Sequence, residues 1–144
     1  MKTIHINLKV KELEKSISFY NELFGAEPTT VKSDYAKWQL DDPQVNFSLS
    51  KSADQAGLNH LGIQVDSSDE LHKVYDNIER SKGKVMEEGH TVCCYSQSEK
   101  SWVEDPQGVL WEAFHSYGTS EVNKAALATT EGEGSCCAPD CCAS

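Results

Sequence analysis

His60-Leu61-Gly62-Ile63-Gln64-Val65 decides the fold, because it begins again what Thr3-Ile4-His5-Ile6-Asn7-Leu8-Lys9-Val10 has already begun. Both stretches alternate with the period of a strand, and both carry a histidine near their start. In the first, Ile4, Ile6, Leu8 and Val10 share one face, with His5 and Asn7 on the other. A helical pattern follows each. From about residue 11, Leu13, Ile17, Tyr20 and Phe24 recur at helical spacing, and Gly25 is placed as a C-terminal cap. After Val65, Ser67 and Ser68 are good N-caps, Leu71, Val74, Tyr75 and Ile78 form one stripe, and Gly83 closes the helix.

Three strands are expected after each helix. In the first half they fall near 26–31, 35–40 and 45–50, divided by turn signals at Ser33-Asp34 and Asp41-Asp42-Pro43. In the second they fall near 85–95, 101–104 and 109–115. The order β-α-β-β-β therefore occurs twice, and a repeat of this kind determines the architecture. The fold class is α+β: two βαβββ modules at about 3–52 and 58–115, forming a domain of residues 1–117. Residues 118–144 read as a flexible, cysteine-rich tail, poor in large apolar side chains.

Asp-Pro-Gln recurs near the end of each half, at Asp42-Pro43-Gln44 and Asp105-Pro106-Gln107. Allowing for the extra Gly108, Ser48 aligns with Glu112. The second half is longer, and most of the additional length falls around Cys93-Cys94, which predicts an enlarged loop there.

Within 144 residues, 13 Lys and Arg face 23 Asp and Glu, a formal net charge of −10. With no basic patch to displace counterions from phosphates, nucleic acid is excluded as a partner, and so are anionic membranes. The N-terminal stretch lacks an apolar run suited to a signal peptide or a membrane span, so a cytoplasmic location is expected. Thiols there stay reduced. The six cysteines are not spread as a disulfide framework: Cys93 and Cys94 are adjacent, and Cys136, Cys137, Cys141 and Cys142 crowd the end.

Taken singly, His5 reads as a strand-edge polar residue, His60 as a strand cap and Glu112 as a solvent-facing acid. Taken together they occupy repeat-equivalent or strand-central positions. Glu112 stands in Val109-Leu110-Trp111-Glu112-Ala113-Phe114, where an ionised group needs a partner. Two imidazoles and a carboxylate on one face suit iron(II) with open positions opposite; zinc, nickel, cobalt or manganese fit the same ligands. His72 and His115 read as structural, and His90 as a neighbour of the cysteine segment.

This pattern resembles the glyoxalase/bleomycin-resistance/extradiol-dioxygenase (vicinal oxygen chelate) superfamily over about residues 3–115. Thr91-Val92-Cys93-Cys94-Tyr95-Ser96, Trp102-Val103-Glu104-Asp105-Pro106-Gln107-Gly108 and the terminal cysteine pairs are similar to the ArsI and cadmium-induced-protein group within it. That resemblance implies an iron(II)- and O2-dependent C–As lyase acting on trivalent methyl and aromatic arsenicals. It places the metal on His5, His60 and Glu112 and the substrate on Cys93 and Cys94. Superfamily members often complete their sheets by dimerisation, which leaves room for a homodimer. The residues agree chemically: R–As(III) is thiophilic and has two exchangeable positions, matched by two neighbouring thiolates. The four terminal cysteines are an accessory metal or metalloid site, or a dispensable tail. Two other readings stay open, a non-catalytic cadmium- or arsenic-binding protein and a fosfomycin-type transferase. The second should carry a basic anion pocket, which this acidic chain does not advertise.

Overall fold

The computed structural model describes the backbone of residues 1–93 and 96–119, and the side chains of 1–86 and 99–115. Four strands and a helix make the first module: β1 (Thr3–Val10), α1 (Leu13–Phe24), β2 (Thr30–Lys32), β3 (Tyr35–Asp41) and β4 (Gln44–Lys51). The second repeats it as β5 (Gly57–Val65), α2 (Ser68–Ser81), β6 (Lys84–Cys93), β7 (Ser96–Glu104) and β8 (Leu110–Thr119). The doubled β-α-β-β-β order is thus present, with β2 shorter and β7 and β8 longer than the sequence pattern implies. No helix among the described residues is long and apolar enough to cross a membrane.

The eight described strands form one sheet in the order β2-β3-β4-β1-β5-β8-β7-β6. Read inward from either edge, the two modules have the same order. In each, the first strand lies parallel to the last, β1 to β4 and β5 to β8. Among the described residues the modules meet once in the sheet, where β1 runs antiparallel to β5. Counting along the ladders supports the alignment of Ser48 with Glu112: Ser48 lies opposite Asn7, two residues beyond His5, and Glu112 lies opposite Gly62, two residues beyond His60.

Each helix covers one face of its own module. Under α1, Leu13, Ala36, Trp38, Val45, Phe47 and Leu49 form a buried cluster, flanked by Ile6, Leu8, Val10, Ile17, Tyr20 and Phe24. Under α2 the described side chains of the cluster are Val65, Leu71, Val74 and Ala113, flanked by Ile63, Tyr75 and Ile78. Apolar burial of this kind contributes about 1.5–3 kcal/mol for each fully enclosed large side chain. The opposite face of the sheet is polar and yet buried: Thr3, His5, Asn7 and Lys9 on β1 and Asn46, Ser48 and Ser50 on β4 are all shielded from solvent. On β1 the polar side is better buried than the apolar side, where Ile4 is 46% exposed.

The helix ends show why these segments stop. Gly25 takes the left-handed conformation (φ 62°) expected of a C-cap, and Ser67 caps α2 by accepting from Glu70 N–H. At the other end of α2 the expectation is displaced by one residue. Lys82, not Gly83, adopts the left-handed conformation (φ 58°). Gly83 answers a different need: a Cβ there would lie 2.5 Å from Val103 Cγ2 and 2.8 Å from the Glu104 carbonyl oxygen. Lys82→Gly is therefore expected to stabilise the fold by about 0.5–1 kcal/mol, because a side chain is strained at positive φ. Denaturant titration of the two chains checks it, and an unchanged or lower midpoint would contradict it.

Candidate metal centre

One row of side chains crosses the sheet and builds the site. Asn46, His5, Gly62, Glu112, Trp102 and Met86 pair successively across β4, β1, β5, β8, β7 and β6. Directly paired residues share a face, so this row lines the polar side. His60 lies one pleat along, opposite Asn7. A register shift between Asn7 and Leu8 places Asn59 outside the regular ladder, and Asn59 Nδ2 donates to Asn7 Oδ1 at 2.8 Å. Such irregularities re-aim side chains beside functional sites.

The three ligand-type residues named from the sequence do meet. His5, His60 and Glu112 are all buried, and one donor atom from each lies within 4.8 Å of the others. His5 Nε2 is 3.1 Å from His60 Nε2, and His60 Nε2 is 3.5 Å from Glu112 Oε2. Two bonds of about 2.1 Å at right angles set their donor atoms about 3.0 Å apart, so these spacings suit neighbouring positions on one divalent ion. Nδ1–H of His5 donates to the Asn46 carbonyl at 3.0 Å. That bond fixes the tautomer and leaves the Nε2 lone pair facing its partners. The donor set, two neutral nitrogens and one carboxylate oxygen, fits iron(II) and related divalent ions.

Gly62 is the residue that the sequence pattern does not reveal. It stands between His5 and Glu112 in the row, and a Cβ there would lie 2.7 Å from the Glu112 carbonyl oxygen and 3.2 Å from His5 Cδ2. The missing side chain is what lets β1 and β8 supply ligands to one point. Its only sequence signal is a glycine inside a strand pattern, which marks a close approach. Phe114 also bears on the site, its ring edge-on to His5 at 5.2 Å. In the first module, the place of Glu112 is taken by Ser48, which accepts from Asn7 Nδ2 at 2.7 Å.

Burial sets the charge state. Both histidines are held below the ordinary imidazole value, chiefly by loss of solvent; Glu112 opposes the shift at His5, whereas His5 and Lys100 reinforce it at His60. Both are therefore neutral at pH 7, as a metal ligand requires. The carboxylate has the partners its setting demands, His60 and Lys100 (Nζ to Oε1, 3.7 Å).

Of the remaining sites named from the sequence, Cys93 is the last residue of β6, paired with Ser96 of β7. Cys94, Cys136, Cys137, Cys141 and Cys142 lie outside the described residues, as does the Cys93 side chain. The enlarged loop expected near the pair is in part extended strand. The β6–β7 ladder runs over nine paired positions from Lys84 to Cys93, against three in β2–β3. Its register shift between Glu87 and Gly89 supplies a bend. His72 packs edge-on against Tyr75 within α2 and takes no part in the site.

Residues 2–113 match the family described as Glyoxalase/Bleomycin resistance protein/Dioxygenase superfamily. A probable trivalent organoarsenical cleaving enzyme of Bacillus subtilis is 40% identical over 139 residues, covering 95% of this chain and 91% of that protein. A trivalent organoarsenical cleaving enzyme of a Bacillus species (strain MD1) is 43% identical over 126 residues, 85% of this chain and 78% of the other. A cadmium-induced protein of Mycobacterium bovis is 33% identical, covering 95% and 93%. Among solved structures, homoprotocatechuate 2,3-dioxygenase from Brevibacterium fuscum superposes with a TM-score of 0.60 at 20% identity, over 83% of this chain and 37% of that one. A Mn(II)-bound glyoxalase from Novosphingobium aromaticivorans gives 0.60 at 17% identity, over 87% and 44%.

Two outcomes follow from the geometry. Gly62→Ala should destabilise the fold by about 1–3 kcal/mol through overpacking and weaken divalent-metal binding roughly tenfold or more by displacing its ligands. Thermal melts and a metal titration read the two effects, and unchanged metal affinity would contradict the second. The pH dependence has a definite sign. On unfolding, His5 and His60 regain the ordinary value of 6.5. Below that pH the unfolded chain binds protons that the folded one excludes. This contribution to the stability of the metal-free protein is fully present above pH 6.5 and declines as pH falls toward the depressed folded values. Melts in chelator buffer from about pH 7.5 to about pH 5.5 should show a falling midpoint; a flat profile would refute it.

Proposed function

The chain belongs to the Glyoxalase/Bleomycin resistance protein/Dioxygenase superfamily, and from that premise we propose that it is a cytoplasmic, iron(II)- and O2-dependent C–As lyase, converting trivalent organoarsenicals to inorganic arsenite. The convergence of His5, His60 and Glu112 carries this reading. Its support comes from relatives at 40% and 43% identity named as trivalent organoarsenical cleaving enzymes. His5 and His60 would hold the ion through Nε2 and Glu112 through a carboxylate oxygen. Iron(II) bound there supplies one-electron chemistry toward O2, which no side chain of the protein can provide.

The chain's own work is capture, placement and shielding. Cys93 and Cys94, as thiolates, exchange for the two labile positions of R–As(III) and retain its carbon substituent. A dimethylated arsenical has one such position and is held less well. Cys93 ends a strand whose Met86 stands in the row of Glu112, seven residues back. At about 3.3 Å per residue, roughly 23 Å of strand separates them. For thiolate-bound arsenic to meet the metal, the β6–β7 hairpin has to arch over the polar face. Orienting the arsenical there replaces a bimolecular encounter by an intramolecular one. The terminal Cys136, Cys137, Cys141 and Cys142 are assigned an accessory role in metalloid capture.

The cadmium-induced relatives favour one competing reading, sequestration without turnover. Reduced, iron(II)-loaded full-length protein is incubated with excess methylarsonous acid, with and without O2, and arsenic speciation is followed. Arsenite should accumulate beyond the protein concentration only with O2. Cys93→Ser and Cys94→Ser should each lower turnover by roughly 10²-fold or more. Stoichiometric binding with no arsenite formed would overturn the lyase in favour of sequestration.

A further inference from the structure

The two carboxylate oxygens of Glu112 face different partners. Oε2 lies 3.5 Å from His60 Nε2, on the side where the imidazoles converge. Oε1 lies 3.7 Å from Lys100 Nζ. Lys100 comes from β7, opposite Phe114 and so on the face that carries Glu112. It is 3% exposed, unusual for a lysine. Its ammonium stands 5.7 Å from the centre of the Trp102 ring. Trp102 is fully buried, paired with Glu112 in the ladder, and edge-on to His60 at 5.0 Å. Lysine, tryptophan, glutamate and histidine are thus packed as one group.

An ammonium has donors only and cannot itself ligate a cation. We propose that Lys100 is a positioning residue that engages Glu112 Oε1, so that the glutamate meets a divalent ion through Oε2 alone. With two imidazoles, a bidentate carboxylate would occupy four of six positions on an octahedral ion and leave two. A monodentate one leaves three. Lys100 thereby sets how many outside molecules the ion can hold at once. The cation also repels the ion it serves, so its presence weakens metal binding while widening access. A lysine required only for folding would have the opposite sign, because its loss would disorder the ligands.

The inference rests on the metal-binding part of the proposed function and is independent of the arsenical. Manganese(II) is the probe, since its preference for oxygen and nitrogen donors keeps it off the six thiols. Full-length wild type, Lys100→Met and Lys100→Arg are titrated with Mn(II) by electron paramagnetic resonance. Bound waters are counted by 17O broadening. Wild type and Lys100→Arg should retain three waters. Lys100→Met should retain two and bind Mn(II) roughly tenfold more tightly, the order expected when a buried like charge is removed. Two waters on wild type would overturn the inference, a result that also decides it if Lys100→Met does not fold. Three waters with unchanged affinity in a folded Lys100→Met would overturn it too. Wild type that takes up no Mn(II) would overturn the metal centre itself, and this inference with it.

Discussion

The antiparallel pairing of β1 with β5 is the contact on which the rest of the molecule depends, because among the described residues it is where the two modules join in the sheet, and it sets His5 opposite Gly62. A shift of one residue would send His5 to the other face and bring an isoleucine into its place. The absent side chain at Gly62 gives His5 and Glu112 the room to approach across β5. One ladder therefore serves both as the seam between two repeats and as the scaffold on which His5, His60 and Glu112 meet.

That arrangement carries an electrostatic burden, distributed among several groups. A face holding two histidines, two lysines and a glutamate is shielded from water in a chain of net charge −10. The histidines stay neutral because protonation would place further charge in a poorly solvated space. Glu112 gains a cationic neighbour in Lys100. In the first module the corresponding ground is held by neutral amides and hydroxyls: Asn7 donates to Ser48 and Ser50 and accepts from Asn59. The repeats share a backbone plan and have diverged on this face, so that only the second contributes a carboxylate.

Cys93 closes a strand whose other end runs past the metal row, and its ladder is three times as long as its counterpart in the first module. Lengthening a hairpin costs little where the added residues pair with one another, and it leaves the core of the module unaltered. The asymmetry between the modules is thus concentrated at one carboxylate and one hairpin.

By itself the amino-acid sequence determined the doubled β-α-β-β-β order, most element positions, the Gly25 and Ser67 caps and the three side chains, His5, His60 and Glu112, that the fold brings together. Periods of two and 3.6, cap chemistry and a recurring histidine are local signals that survive without knowledge of the fold. Only the tertiary structure decided which side of β1 is enclosed, why Gly62 and Gly83 lack side chains, that Lys82 carries the helix cap, and that Lys100 and Trp102 belong beside Glu112. Those facts arise from lateral register between strands distant in the chain. Lys100 in Ser98-Glu99-Lys100-Ser101 reads as an ordinary solvent-facing lysine until β7 is set against β8, when its ammonium comes within 3.7 Å of Glu112.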